Sequence, residues 1–498
     1  MSGATDTQPQ PGSVAEATAL AAQRDAAAKP GQFLPAPEAV EAEVRAAVAD
    51  AEADGPRWLA AVRRAGAQAF ARQGFPTTRN EDWHYTTTAP IAEAGYAGTA
   101  GATGEIEGRD QLAPFAFGAG ADLWPTLVFV NGRFDERLSS RAALPEGVRA
   151  LPWAEALAQE PELLERTLGR VASPEAQPFV ALNQAVFADG ALVVVRKEME
   201  ADRPVHLLFV TDATAARTAS HARVLVVAER HSRVAVVESH VALGTGAYWT
   251  NAVTEVDVAD GATVHHLKVQ RESPRAFHTA HVEARQGRDS HFVSFSFATG
   301  ARLSRANVYT LLAGEGCGVT LNGLYAVGGD QHCDHQTRIE HREPNCFSRE
   351  LYKGVLDGRA RGVFNGKVYV HPAAQKTDGK QTNNTLLLSE EARIDTKPQL
   401  EIFADDVKCT HGATVGRLDQ TALFYMQSRG VGTEAARRLL TYAFAADVLE
   451  TIEQEPVRHA LEALVLERYA GVAADADAVP GAGGAGNGAG NGAGGGAA

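Results

Sequence analysis

Apolar residues between Ala36 and about Arg72 recur mostly at three- and four-residue steps: Val40, Val44 and Val48, then Leu59, Val62 and Phe70, with a break near Gly55-Pro56. That spacing predicts two amphipathic helices. Further on, the apolar run 126–130 leads into Asn131-Gly132, a dipeptide that tolerates positive φ at both central turn positions, so a short β-hairpin is expected. The region 34–185 is therefore read as a helical and mixed α+β domain.

From about Val186 to Val415 the pattern changes to short Val-rich runs at 192–195, 207–210, 224–227, 234–237 and 253–258. Turn signals separate them at Asp189-Gly190, Gly244-Thr245-Gly246, Asp260-Gly261, Gly287, Gly314-Glu315-Gly316, Gly328-Gly329 and Asp357-Gly358, often roughly fourteen residues apart or a multiple of that. Val293, Phe295 and Phe297 alternate with Ser294 and Ser296, which places apolar side chains on one face and hydroxyls on the other and predicts one buried face. Many short strands without crossover helices leave a sandwich, a barrel, a propeller or a β-helix. No long-period motif recurs, so short stacked rungs are favoured over propeller blades for the core, 186–415.

After Gly416 the pattern is helical again. Asp419 is placed to N-cap a helix carrying Leu423, Phe424 and Met426 that Gly430 ends. Thr433 is expected to cap a longer helix with Leu439, Leu440, Phe444, Val448 and Ile452, and Pro456 to open a third that runs to Tyr469. The apolar residues of the second are expected mainly to pack inward. This makes 416–471 a small helical domain. The Gly/Ala/Asn tail 472–498 and the polar N-terminal stretch 1–33 are expected to be disordered.

Composition narrows the function classes. A formal net charge of -14 argues against nucleic-acid binding, which needs clustered Lys and Arg on phosphates. The four cysteines, at 317, 333, 346 and 409, include no Cys-x-x-Cys pair, so neither a disulfide framework nor a zinc ribbon is signalled and a reduced, cytoplasmic setting fits. No secretory signal and no membrane-spanning apolar run are read from the sequence.

Candidate chemistry is sparse. In Gln331-His332-Cys333-Asp334-His335 a strand would send His332 and Asp334 to one face and Cys333 and His335 to the other, too divided for a metal site. His265-His266 divides in the same way. No Walker motif, Gly-x-Ser-x-Gly elbow or His-Glu-x-x-His is found, so any ATP-driven work must come from another chain. Cys409 and His411 differ: two apart in an extended segment, they share one side where the β region meets the terminal helices. Thiolate and imidazole suit iron or zinc, but two ligands leave the site open, to be completed by a second chain. Buried packing of Cys409 as a small hydrophobe is the plain alternative.

The segment 408–416, Lys-Cys-Thr-His-Gly-Ala-Thr-Val-Gly, followed by Leu418-Asp419, Leu423-Phe424-Tyr425 and Ser428-Arg429-Gly430, resembles the C-terminal signature of the SufD family. Residues 352–356, 363–367, 376–378, 384–389 and 397–402 resemble it too, as do Gly74-Phe75-Pro76-Thr77 and Glu81-Asp82-Trp83, so the likeness spans about residues 70 to 455. The paralogue SufB is similar but carries a glutamate-containing version of the Cys-Thr-His-Gly segment, so His411-Gly412 favours SufD. The resemblance implies a mainly β protein: a right-handed parallel β-helix flanked by an N-terminal and a C-terminal helical domain. It further implies a non-enzymatic scaffold subunit for iron-sulfur cluster assembly that pairs with a SufB-like paralogue and docks a SufC-like ATPase through its C-terminal helices. On that footing His411, together with Cys409, is a metal ligand at the interface. The iron or iron-sulfur cluster is transient and shared with the partner, and none is held tightly by this chain alone. Two other readings are a β-helix enzyme of the extracellular, polysaccharide-active type and a purely structural homodimer; a homodimer in isolation fits the first reading as well.

Overall fold

The computed structural model describes residues 31–98, 106–118, 124–141, 144–212 and 217–469. The two tails expected to be disordered lie outside these residues, apart from 31–33. The two N-terminal helices form where the apolar spacing places them, Glu38–Asp54 and Arg57–Gln73, with Gly55-Pro56 between them. The second crosses the helix Pro178–Val186 closely at Gly66, where an added Cβ would meet Ala181 O and Ala185 N at 2.8 Å. The hairpin also forms. Thr126–Val130 pairs antiparallel with Arg133–Phe134, and Asn131 and Gly132 take the positive φ values, 50° and 77°, that such a tight turn requires.

The core is a two-sheet parallel β-solenoid. Strands alternate between sheets, so each bonds not to the next strand but to the one after it. The first sheet stacks Asp189–Val195, Ala222–Ala228, Trp249–Val258, Phe277–Gln286, Leu303–Leu312, His332–His341, Arg361–Val370 and Arg393–Ile402. The second stacks Val205–Asp212, Arg233–Leu243, Thr263–Arg271, His291–Ala298, Gly318–Val327, Phe347–Leu356, Asp378–Leu387 and Lys408–Gly416. Leu303 pairs with His332 and His332 with Arg361, a coil of 29 residues that holds two of the strand-plus-turn units read from the sequence. At the N-terminal end the stack is capped, because Val148–Pro152 lies antiparallel on the first strand of one sheet and Thr126–Val130 covers the first strand of the other.

Both outer faces are covered. Trp83, Phe75 and Phe179 pack on Trp249, Phe277 and Leu303 of the first sheet, and the Arg305 guanidinium lies 3.8 Å from the Trp83 ring centre while bonding Asp334 at 2.7 Å. On the second sheet, Val448, Leu449, Val457 and Leu461 of the helices Thr433–Leu449 and Glu455–Arg468 bury Phe295, Phe297, Leu324 and Val355. Burying each such side chain contributes about 1.5–3 kcal/mol. Asp419 caps Gln420–Ser428 as expected, accepting from the Thr421 N–H at 2.8 Å. Thr433 is the first helical residue rather than the cap, and its hydroxyl instead accepts from Gln427 Nε2.

The alternation of Phe295 and Phe297 with Ser294 and Ser296 buries both faces, not one. The aromatic side chains point outward beneath the C-terminal helices, whereas the hydroxyls point into the solenoid, where Ser296 Oγ meets His335 Nε2 across the interior at 3.2 Å. The interior is apolar around Val193, Val224, Val226 and Val256 but polar further along. There Glu238 takes Thr254 Oγ at 2.7 Å, His240 Nε2 at 2.9 Å and His266 Nε2 at 3.3 Å. Close by, Lys268 Nζ lies 2.6 Å from His278 Nε2, and Glu272 accepts from Thr250 and Gln270.

Burial holds several histidines neutral, with His206, on the outer face against Phe117, pushed down to about 3 and the interior His278, His335 and His341 to about 4. The unfolded chain takes up protons on these rings near their ordinary value, while the folded chain resists until far lower pH. Glu43 and Glu350, both raised to about 7 by burial, work in the opposite sense, but as two carboxyls against these four imidazoles and His221, which burial also lowers to about 3. Stability to urea should therefore fall steadily from pH 7 to pH 4, read as the unfolding midpoint. A midpoint unchanged over that range would refute the buried neutral histidines.

Candidate functional site

At its C-terminal end the solenoid is open. Arg393–Ile402 and Lys408–Gly416 are the last strands of their sheets, and each presents an unpaired row of backbone N–H and C=O groups, an arrangement that templates pairing with a further strand. Exposure rises abruptly here: Ile402, Phe403 and Val415 are large apolar side chains open to solvent.

The ladder register shows which way the terminal residues point. Cys409 continues the column Val264, Phe292, Val319, Ser348, Gly379, and His411 continues His266, Ser294, Leu321, Glu350, Gln381. Every earlier member is inside the solenoid: Val264, Phe292, Val319 and Leu321 are interior core residues, and Ser348, Glu350 and Gln381 are buried polar ones. Cys409 and His411 thus belong to the inward face, with Ala413 and Val415, and His411 is exposed because no further coil covers it. The alternation rule that paired them in the sequence holds. Lys408, Thr410, Gly412 and Thr414 occupy the outward face.

Cys409 is half-buried and packs against the interior core. Gly379 in the coil below leaves room for it, since an added Cβ there would meet Cys409 Sγ and Ser348 Oγ at 3.3 Å. Burial pushes the Cys409 thiol up, offset in part by the backbone N–H of Gly379 and reinforced by the Asp378 carboxylate. A metal ion would lower it again, because a coordinated thiol is deprotonated. Cys409 and His411 bring a soft and a borderline donor to one face, and within this chain nothing closes the set: among the described residues no group of three or more His, Cys, Asp or Glu is arranged to hold a metal.

The other sequence candidates are accounted for by local bonding. His332 Nε2 meets Thr86 Oγ at 2.8 Å and Asp334 accepts from Thr86 at 2.5 Å on the outer face, while Cys333 Sγ lies 3.7 Å from His335 Nδ1 inside. The division by strand alternation is the one expected. His265 faces outward, 3.7 Å from Glu453, and His266 faces inward to Glu238. The interior network of Glu238, His240, Lys268, Glu272 and His278 was not singled out from the sequence. Its signal was present, as charged residues at two-residue spacing inside Val-rich strands.

The three terminal helices carry a second exposed feature. Phe424 and Tyr425 are 71% and 59% exposed, and Leu439 is exposed on the neighbouring helix. Val448 is fully buried and Leu440 and Phe444 are partly so, so the inward packing expected for this helix holds for them and fails for Leu439.

Comparison with known proteins accounts for nearly all of the folded chain. The family described as "SUF system FeS cluster assembly, SufBD core domain" matches residues 209–444, and the SufBD protein N-terminal region matches 45–207. The chain is 33% identical over 407 residues to the iron-sulfur cluster assembly protein SufD of Escherichia coli, covering 81% of this chain and 92% of that one. It is also 33% identical, over 78% of its length and 86% of the relative's, to an iron-sulfur cluster assembly SufBD family protein of Synechocystis. SufD of Bacillus subtilis is 32% identical over 58% of this chain and 66% of its own. With matching sequence along both the solenoid and the N-terminal region, the chain belongs to the SufD family of iron-sulfur cluster assembly proteins.

Proposed function

We propose that the chain is a non-catalytic subunit of a cytoplasmic scaffold that builds iron-sulfur clusters, and that it works by contributing ligands at an interface. The observation that carries this reading is the open terminal coil, which sets Cys409 and His411 on the inward face with no coil above them. A SufB-like paralogue with its own solenoid would continue the stack through backbone pairing and bury Ile402 and Val415. Its side chains would complete the coordination of iron that a thiolate and an imidazole begin. Iron and sulfide are here the cargo, held transiently. In isolation the same open edge can pair with a second copy of the chain.

The energy source lies elsewhere on this reading. A SufC-like ATPase docking on Phe424, Tyr425 and Leu439 would grip helices that are packed on the second sheet through Val448 and Leu449. Movement of those helices would then be transmitted to the sheet whose last strand carries Cys409 and His411.

Three outcomes are expected. His411→Ala should leave the melting temperature of the chain unchanged, because the ring is exposed, yet lower iron and sulfide in the reconstituted complex several-fold. Iron loading equal to wild type would remove His411 from the mechanism. Val415→Lys places a charge where a covering coil must bury it, at a position 50% exposed in the free chain. Recovery of the paralogue in pull-down should drop about tenfold or more with the chain's circular dichroism unaltered, and full recovery would place the interface elsewhere. Phe424→Ala combined with Tyr425→Ala should abolish co-purification of the ATPase while the paralogue is retained; an unchanged ATPase ratio would rule out this docking face.

A further inference from the structure

We infer that Gln381 is a positioning residue for His411: its side-chain carbonyl receives the ring N–H of His411 when a partner coil covers the open end, and Glu350 holds that carbonyl in place. The inference rests on the reading of His411 as a metal ligand and specifies how the ring is oriented for the task.

Glu350, Gln381 and His411 stand directly above one another in the last three coils of the second sheet. Glu350 is 3% exposed and Gln381 1%. Gln381 Nε2 donates to Glu350 Oε2 at 2.7 Å. Its side chain lies against Gly366 of the opposite sheet, where any added Cβ would collide with the amide. A glycine facing the interior at this level keeps the space the amide occupies.

The amide nitrogen is the end bound to Glu350, so the carbonyl oxygen is the end of the side chain left to accept from another donor. That oxygen is buried and has no hydrogen-bond partner in this structure. A buried amide carbonyl left unpaired is costly, and such atoms are usually matched by a donor. The next residue of the column, on the open side, is an imidazole with an N–H to give. Closure by a partner coil would take the ring out of water, where its N–H loses solvent and Gln381 Oε1 becomes the acceptor in the adjacent rung. The nitrogen that donates to Gln381 is then the protonated one, and the other presents its lone pair to the metal. Fixing the tautomer through the second nitrogen is how ligand histidines are commonly oriented.

The test uses the complex assembled with the paralogue and the ATPase, loaded with iron and sulfide and challenged with a chelator. Gln381→Met keeps the length of the side chain and removes both amide ends; it should speed the loss of iron about tenfold with the subunit ratio unchanged. The exchanged pair, Glu350→Gln with Gln381→Glu, restores one donor-acceptor bond between these positions and again offers an oxygen to His411. It should retain iron to within about twofold of wild type, the recovery expected of a restored acceptor. In ¹⁵N spectra of the same complex His411 should be a single neutral tautomer in the wild type and the exchanged pair, and a mixture in Gln381→Met. If His411→Ala loses iron while Gln381→Met keeps it, or if the exchanged pair is no better than Gln381→Met, the positioning role is wrong. If His411→Ala also keeps iron, the ligand reading and this inference fall together.

Discussion

In-register stacking of parallel coils is the constraint from which the rest of this molecule follows. Each strand hydrogen-bonds to its equivalents in the coils before and after, so a side chain is fixed above and below by residues about one coil away in sequence. A solenoid built this way satisfies its backbone everywhere except at its two ends. This chain closes one end with the antiparallel strand Val148–Pro152 and the hairpin, and leaves the other as two bare strands. The asymmetry matters because the bare end carries the two residues with ligand chemistry.

The same stacking explains why a polar interior is sustainable. Charged and hydroxyl groups in inward columns meet others at the spacing of one strand or across the narrow interior, so Glu238 finds two imidazoles and a hydroxyl, and Lys268 finds His278. Apolar burial is supplied outside the coils as well as in the Val-rich part of the interior: Phe295 and Phe297 lie under the terminal helices and Trp249 and Phe277 under the N-terminal region. The terminal helices are therefore part of the core in energetic terms. On the proposed reading, an ATPase that pulls on them would act on the sheet itself.

Much of this was legible in the sequence because the governing periods are local. Two-residue alternation put Cys409 with His411 and separated His332 from Cys333, and Asn131-Gly132 marked its hairpin, because each depends only on near neighbours along the chain. Which face was the interior was not legible. Ser294 and Ser296 read as a solvent face, since alternation says that two faces differ but not which is covered, and both are when helices return from 150 residues away to pack outside. The hierarchy Glu350, Gln381, His411 was hidden for a related reason: its members are 30 or so residues apart, and only the ladder register brings them into one column.

On the proposed reading, assembly and ligation are a single event. Cys409 and His411 occupy inward positions, so a coil that extends the ladder must cover them, and whatever it carries at the matching positions is delivered to them in register without a search. The free chain keeps His411 exposed to water and Cys409 half-buried, where burial favours the thiol over the thiolate. Covering the end removes water from both at once and substitutes partner groups and metal for it. The incomplete site and the incomplete edge are thus one feature, because the donor set is finished by the same backbone pairing that finishes the sheet, and which groups finish it depends on which chain pairs there.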